Sequence, residues 1–316
     1  MSAFSVEDRI TTRPAAAAAD GAAADAADGV LLYYCYAVLD DPAAVLEALA
    51  RASDQLVGRL RVSKEGVNAT LGGAVGLLRR HVAAARGMGL RADFKLDAVL
   101  PGTVEFGRYA DAVLRKQTGF DALRGRVVAE VVTYGSPFDA TGVPVERVAS
   151  NADWDRGISE SGAVVLDVRN AYESAIGRFD GGVCPPIRNT ADFADWLEAQ
   201  PEADFQDRRV YAYCTGGVRC ERAAQLVSEK FPTAHVAVLQ GGVLGYLARG
   251  AADGAAGGAA SPWRGRLFVF DPRVSVDGLG RALDPLCSTC GVETVRDYSI
   301  EPQPSQRARQ RPSWDL

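Results

Sequence analysis

Residues 210–224 read Val-Tyr-Ala-Tyr-Cys-Thr-Gly-Gly-Val-Arg-Cys-Glu-Arg-Ala-Ala, and this stretch constrains the fold more than any other. An apolar strand runs into Cys214. A short loop with Gly216 and Gly217 follows, and then a helix. Small residues let successive backbone N–H groups converge into an anion nest. The helix adds its positive N-terminal end. A thiol held there is biased toward thiolate, the reactive form, and Arg219 supplies a fixed positive charge. This is the pattern of a nucleophile loop. The alternative is a buried core cysteine at a strand end.

Loop length separates two chemistries. Cys214 and Arg219 enclose Thr215, Gly216, Gly217 and Val218. A cysteine-phosphatase loop is longer by one residue, because it cradles a whole phosphate, and here Cys220 stands where its arginine would be. The shorter loop resembles that of the rhodaneses, which holds a sulfur atom on the cysteine as a persulfide. Val165-Leu166-Asp167-Val168-Arg169-Asn170, then Tyr172-Glu173 and Gly177-Arg178-Phe179-Asp180-Gly181-Gly182, resembles the opening half of a rhodanese domain. Asp167 and Arg169 read as structural polar residues there. Leu239-Gln240-Gly241-Gly242-Val243 fits the glycine turn after the last strand.

The rest of the chain divides by pattern. Residues 1–28 are Ala-rich with scattered Asp and too few bulky apolar residues for a core, so they read as disordered. Residues 29–134 read as one domain. Val30–Ala37 is strand-like, Pro42–Ala52 helical with Asp40 or Asp41 as N-cap, and Gly58–Val62 and Val67–Leu71 are strands around a Lys64-Glu65-Gly66 turn. Ala74–Arg86 is helical and Arg91–Leu96 a strand, which gives βαββαβ, a ferredoxin-like unit. Val104–Leu114 and Val127–Tyr134 read as two further strands. Residues 135–150, with two glycines and two prolines, read as a linker. Residues 151–250 alternate strands and helices, the rhodanese domain, with a parallel sheet flanked by helices. Residues 251–316 read as a C-terminal extension, with a flexible stretch at 251–262 and a polar tail at 301–316. The fold class is therefore α/β, in two domains, as the 316 residues suggest.

Composition excludes several classes. Only His81 and His235 are present, a poor basis for His-rich metal sites or Ser-His-Asp catalysis. Six cysteines are too sparse for a disulfide scaffold. No apolar run spans a membrane, and neither a secretory nor a transit signal is legible at the start, so the expected location is cytoplasmic. The net charge of −5 does not advertise a nucleic-acid binder. The charge is uneven, however: residues 1–50 are net −6, while residues 51–130 carry 14 basic and 8 acidic side chains. On charge alone, a solvated Arg-rich surface accounts for this.

Gly58-Arg59-Leu60-Arg61-Val62-Ser63-Lys64-Glu65-Gly66-Val67-Asn68-Ala69-Thr70, the Cys214–Glu221 loop with its second cysteine, and Phe268-Val269-Phe270-Asp271-Pro272-Arg273-Val274 together resemble the tRNA uridine 5-hydroxylation family (TrhO/UPF0176). That resemblance implies oxygen-dependent conversion of a tRNA wobble uridine to 5-hydroxyuridine. Cys214 is then the catalytic cysteine and Thr215 to Arg219 its anion or persulfide loop. Molecular oxygen is the co-substrate, with no other cofactor identified. The alternative is a sulfurtransferase that takes sulfane sulfur from a donor through a Cys214 persulfide. Cys220 is a candidate resolving thiol or a packed helix cysteine. Arg59, Arg61 and Lys64 are candidate tRNA phosphate contacts, and Asn68 a turn cap. Cys287 and Cys290 form one C-x-x-C with no further Cys or His downstream, which supplies half of a tetrahedral zinc site, so no metal is expected. Cys35 reads as a core strand residue. The oligomeric state has no signature in the sequence.

Overall fold

The computed structural model describes residues 9–12, 27–98, 122–136, 138, 145–252, 261–271 and 273–277. The first sheet is built from β1 (Arg9–Thr12), β2 (Asp28–Tyr36), β3 (Val57–Ser63), β4 (Gly66–Ala74), β5 (Asp93–Ala98) and β6 (Leu123–Val127), in the order β1-β5-β2-β4-β3-β6. Helix α1 (Pro42–Arg51) joins β2 to β3 and α2 (Val75–Gly87) joins β4 to β5. Strands β5, β2, β4 and β3 are antiparallel neighbours, the arrangement expected of βαββαβ. Asp41 is the N-cap of α1 and accepts from Ala44 N at 2.9 Å, and Pro42 opens the helix.

Alternation in β2 sorts the two faces of this sheet. Leu31, Tyr33 and Cys35 join Leu60, Val62, Val67 and Leu71 in a core with α1 and α2. Leu32, Tyr34 and Tyr36 point the other way, toward the second domain.

The second sheet consists of β7 (Glu146–Val148), β8 (Val164–Asp167), β10 (Arg209–Tyr213) and β11 (His235–Leu239), all parallel in the order β7-β11-β10-β8. The intervening elements are α3 (Asn151–Ile158), α4 (Ala171–Ile176), β9 (Gly177–Phe179), α5 (Asp192–Glu198), α6 (Val218–Lys230) and α7 (Gly242–Ala252). The strands are apolar on both faces, as a doubly covered sheet requires. Phe193, Leu197, Val227 and Phe231 cover one face, and Trp154, Val243 and Leu247 the other.

Three expectations need correction. Within residues 1–28, Arg9–Thr12 forms a strand parallel to β5, and Asp28 already belongs to β2. The strand expected over Val127–Tyr134 is instead Leu123–Val127. Beyond it the Glu130 carboxylate accepts from Tyr134 N and Gly135 N and turns the chain toward the second domain. Within the 135–150 linker, Glu146–Val148 pairs with β11 as an edge strand. The C-terminal extension adds short strands without contradicting its reading: β12 (Trp263–Gly265) pairs antiparallel with β9, and β13 (Leu267–Phe268) pairs with β14 (Ser275–Val276). The run Val104–Leu114, the 253–260 stretch and the tail with Cys287 and Cys290 lie outside the described residues.

Candidate active site

Strand β10 ends in Tyr213, and Cys214 is the first residue of the loop that leads into α6. Gly217 is the N-cap of α6 with φ of 104°, a left-handed conformation that costs glycine little. That turn aims the Gly217 N–H at Cys214 Sγ, which accepts at 3.1 Å. The thiol is fully buried. Burial pushes its pKa up. A hydrogen bond from the Cys220 thiol, the Arg219 guanidinium and the backbone amides of Arg219 and Gly217 outweigh that and bring it down to about 6. Cys220 moves the opposite way: burial and its donation to Cys214 hold it protonated, well above the usual thiol value. Thus the pair contains one thiolate and one thiol at neutral pH. Cys35 is a core residue, as expected, with burial driving its pKa up to about 12.

Glu173 fixes the orientation of Arg219. Arg219 Nη1 donates to Glu173 Oε2 at 2.5 Å and Nη2 to Oε1 at 2.7 Å, both side chains buried. Thr215 Oγ1 donates to Glu173 Oε1 at 3.1 Å. Asp167 and Arg169 form a separate, fully buried bidentate pair, with Ser174 Oγ donating to Asp167. They brace the loop after β8 and do not reach the cavity described below.

The first domain closes over this loop. Tyr36 donates to Val218 O at 2.9 Å, Tyr134 to Arg219 O at 2.9 Å, and Tyr34 to Glu221 Oε1 at 3.0 Å. Arg147 lies 3.3 Å from Glu221 Oε2. Arg222 is buried between Glu65, at 3.1 Å, and Glu130, at 2.9 Å.

Between the domains lies a cavity of about 510 Å³. Thr215, Gly216, Val218 and Arg219 line it from the loop, and Arg59, Arg61, Asn68 and Thr70 from the first sheet. Tyr172, Arg188 and Phe270 are among the other residues that line it. Cys214 itself is fully buried and does not line the cavity, although its loop neighbours Thr215 and Gly216 do. Arg59 Nη2 donates to Phe270 O at 2.6 Å, and Arg61 Nη2 to Thr133 Oγ1 at 3.2 Å. Burial lowers the pKa of both guanidinium groups.

Of the residues singled out from the sequence, the structure brings Arg59 and Arg61 to the Cys214–Arg219 loop. Lys64 is exposed at the β3–β4 turn and does not line the cavity. Asn68 is not a turn cap: it lies within β4, donates to Val131 O at 3.1 Å and faces the cavity. The sequence reading placed Glu173 in the rhodanese-like opening without giving it a role, and it missed Tyr134, Arg188 and the cavity role of Phe270. The capping position of Glu173, three residues after Asn170, was the available signal, since its carboxylate also accepts from Asn170 N at 3.0 Å. Among the described residues no group of three His, Cys, Asp or Glu side chains is placed to hold a metal, and no helix is long and apolar enough to cross a membrane.

Comparison with known proteins agrees with both halves of this architecture. Residues 29–131 match the UPF0176 acylphosphatase-like domain and residues 150–249 the rhodanese-like domain. The chain is 32% identical to the tRNA uridine(34) hydroxylase of Rhodococcus jostii, over 89% of this chain and 93% of that protein. It is 34% identical to the enzyme of that name from Mesorhizobium japonicum, over 74% of this chain and 69% of that one. The corresponding figures for Caulobacter vibrioides are 33%, 83% and 79%. With two matching domains in the same order and this identity over most of its length, the chain belongs to the tRNA uridine(34) hydroxylase family.

Proposed function

We propose that this protein hydroxylates C5 of a tRNA wobble uridine, with Cys214 as its reactive thiolate. The observation that carries this reading is the cavity shared between the domains. Its volume lies within the usual range for a small-molecule site, about 300–1,000 Å³. One wall is the thiolate loop and the opposite wall is a basic face of a different domain. A sulfurtransferase acting on thiosulfate needs only the loop, so the second wall favours a larger anionic substrate. Tyr172 and Phe270 present rings on which an unstacked base can lie, the usual way in which single-stranded RNA is held. Arg59, Arg61 and Arg188 supply charge for the flanking phosphates.

The net reaction replaces a C5–H bond by C5–OH, a two-electron oxidation of the base. With molecular oxygen as oxidant, one atom enters the product. A two-electron reductant then takes the other atom to water, with two protons. The chain's own contribution is to hold Cys214 ionised, to fix Arg219 through Glu173, and to exclude water beneath the loop.

Nucleoside mass spectrometry of tRNA from cells with the gene, without it, and complemented with Cys214→Ser tests the reading. The expected result is loss of 5-hydroxyuridine and its derivatives without the gene, with no recovery by the variant. Unchanged nucleosides would overturn it. Growth under isotopically labelled oxygen gas, with label expected in the new hydroxyl, tests the source of the oxygen atom.

A further inference from the structure

Strand β6, outermost in the first sheet among the described residues, sets two more arginines beside the two that line the cavity. In the parallel register of β3 with β6, Arg59 stands opposite Arg124 and Arg61 opposite Arg126. Residues paired in this way share a face of the sheet. Gly125, between them, faces the other side: a Cβ there would meet Leu46 Cδ1, on α1, at 2.8 Å. Arg124 and Arg126 therefore turn to the same side as the cavity, and both are exposed.

These charges act on one another. After burial, the neighbours Arg61 and Arg124 lower the pKa of Arg59, and Arg126 lowers that of Arg61. Asp271 and Glu130 work against this. Both carboxylates are shared, however: Asp271 accepts from Arg273 Nε and Nη2 at 2.8 Å, and Glu130 lies 2.9 Å from Arg222. Like charges directly opposite on neighbouring strands destabilise a sheet. Side by side on the cavity side of the sheet, the four form a two-by-two basic block of the kind that contacts nucleic-acid phosphates. Two residues of strand advance about 6.6 Å, close to the step between successive phosphates in an extended single strand.

We propose that Arg124 and Arg126, with Arg59 and Arg61, form a track for the phosphate backbone of the single-stranded RNA that flanks the target nucleotide. The track leads along the sheet edge into the cavity. It rests on the hydroxylase reading and adds the path of the RNA. Arg124 and Arg126 act on binding and not on the chemistry at Cys214. The exposed Arg79 and Arg80 on α2 provide the internal control, because α2 packs on the opposite face of the sheet through Val75, Leu78 and Val82.

The test measures binding of unmodified tRNA, taken from cells lacking the gene, to the full chain across a salt series. Parent, Arg124→Ala/Arg126→Ala and Arg79→Ala/Arg80→Ala are compared. Loss of two phosphate contacts should weaken binding and flatten the slope of log affinity against log salt by about 1.4, at about 0.7 per single-strand phosphate. The α2 variant should keep the parent's slope. The Cys214 thiolate titration should be the same in all three proteins, which shows that the site is intact. An unchanged slope in the β6 variant, or flattening only in the α2 variant, would overturn the track. Hydroxylation of the same tRNA by the parent, followed separately, distinguishes failure of the track from failure of the hydroxylase reading.

Discussion

Arg219 and Glu173 form a two-pronged ion pair in which both carboxylate oxygens are occupied by more than one donor. Oε2 accepts from Arg219 Nη1 and Asn170 N, and Oε1 from Arg219 Nη2 and Thr215 Oγ1. The carboxylate thus ties the start of α4 to both ends of the thiolate loop. An arginine on a long stem would otherwise sample many rotamers. Here its charge is held in one place beside Cys214.

Replacement of Glu173 by Gln puts an amide N–H against at least one of these donors. Breaking a buried pair by removing one partner costs about 3–5 kcal/mol, and both side chains here are almost fully buried. Urea unfolding of Glu173→Gln should show a midpoint shifted by a loss of that order, together with loss of activity. A midpoint equal to the parent's would show that the pair does not hold the loop.

The thiolate assignment is checked by ultraviolet titration, with Cys214→Ser subtracted as baseline. The difference should titrate at about 6, far below the about 12 of Cys35. Cys220→Ala removes the S–H donor and should move the midpoint upward. Cys220→Ser keeps a donor and should leave it near the parent's. A midpoint that ignores Cys220→Ala would remove Cys220 from the set of groups that tune the nucleophile.

The thiolate loop was legible from the sequence because its determinants are local: an apolar strand, two glycines, and an arginine within one helical turn. The βαββαβ order was legible for the same reason, since period-2 and period-3.6 patterns are written in consecutive residues. What was not legible depends on long separations. Glu173 lies 46 residues from Arg219, Tyr134 lies 85 residues away, and Arg59 lies 211 residues from the Phe270 carbonyl that it meets. Arg59, Arg61 and Lys64 are grouped in the sequence, but the strand points the arginines into the cavity and the turn leaves the lysine in solvent. Strand β1 was missed because four residues of an Ala-rich segment carry no pattern strong enough to mark a strand.

His81 is buried in the first domain, with Tyr33 Oη at 2.9 Å from Nε2 and Ser53 Oγ at 2.9 Å from Nδ1. Burial disfavours the imidazolium and lowers its pKa from 6.5 to about 4. The unfolded chain therefore takes up a proton below 6.5 that the folded chain refuses until about 4. Stability from this residue is full above that window and falls as the pH drops through it. Melting temperatures of parent and His81→Gln should converge as the pH is lowered through the window, the variant being less stable at neutral pH. Parallel pH profiles would show that His81 is not the group responsible.

Adjacent glycines of the loop should respond differently to a single methyl group. At Gly217 the backbone is left-handed, and an added Cβ would lie 2.9 Å from Tyr34 Oη. Tyr34 is itself held by Glu221. Strain of about 1–3 kcal/mol at such a position is relieved only by turning the Gly217 N–H away from Cys214 Sγ. Gly217→Ala should therefore raise the thiolate midpoint and abolish hydroxylation. At Gly216 no left-handed backbone is required, and the close contact, at 2.8 Å, is with the Leu32 Cδ2 end of a flexible side chain. Leu32 can move aside, so Gly216→Ala should keep the parent's thiolate midpoint. Gly216 also lines the cavity, so the methyl group should appear as a raised KM for tRNA with kcat little changed. If both variants titrate like the parent, the left-handed Gly217 turn does not set the ionisation of Cys214, and Arg219 with Cys220 would have to account for it.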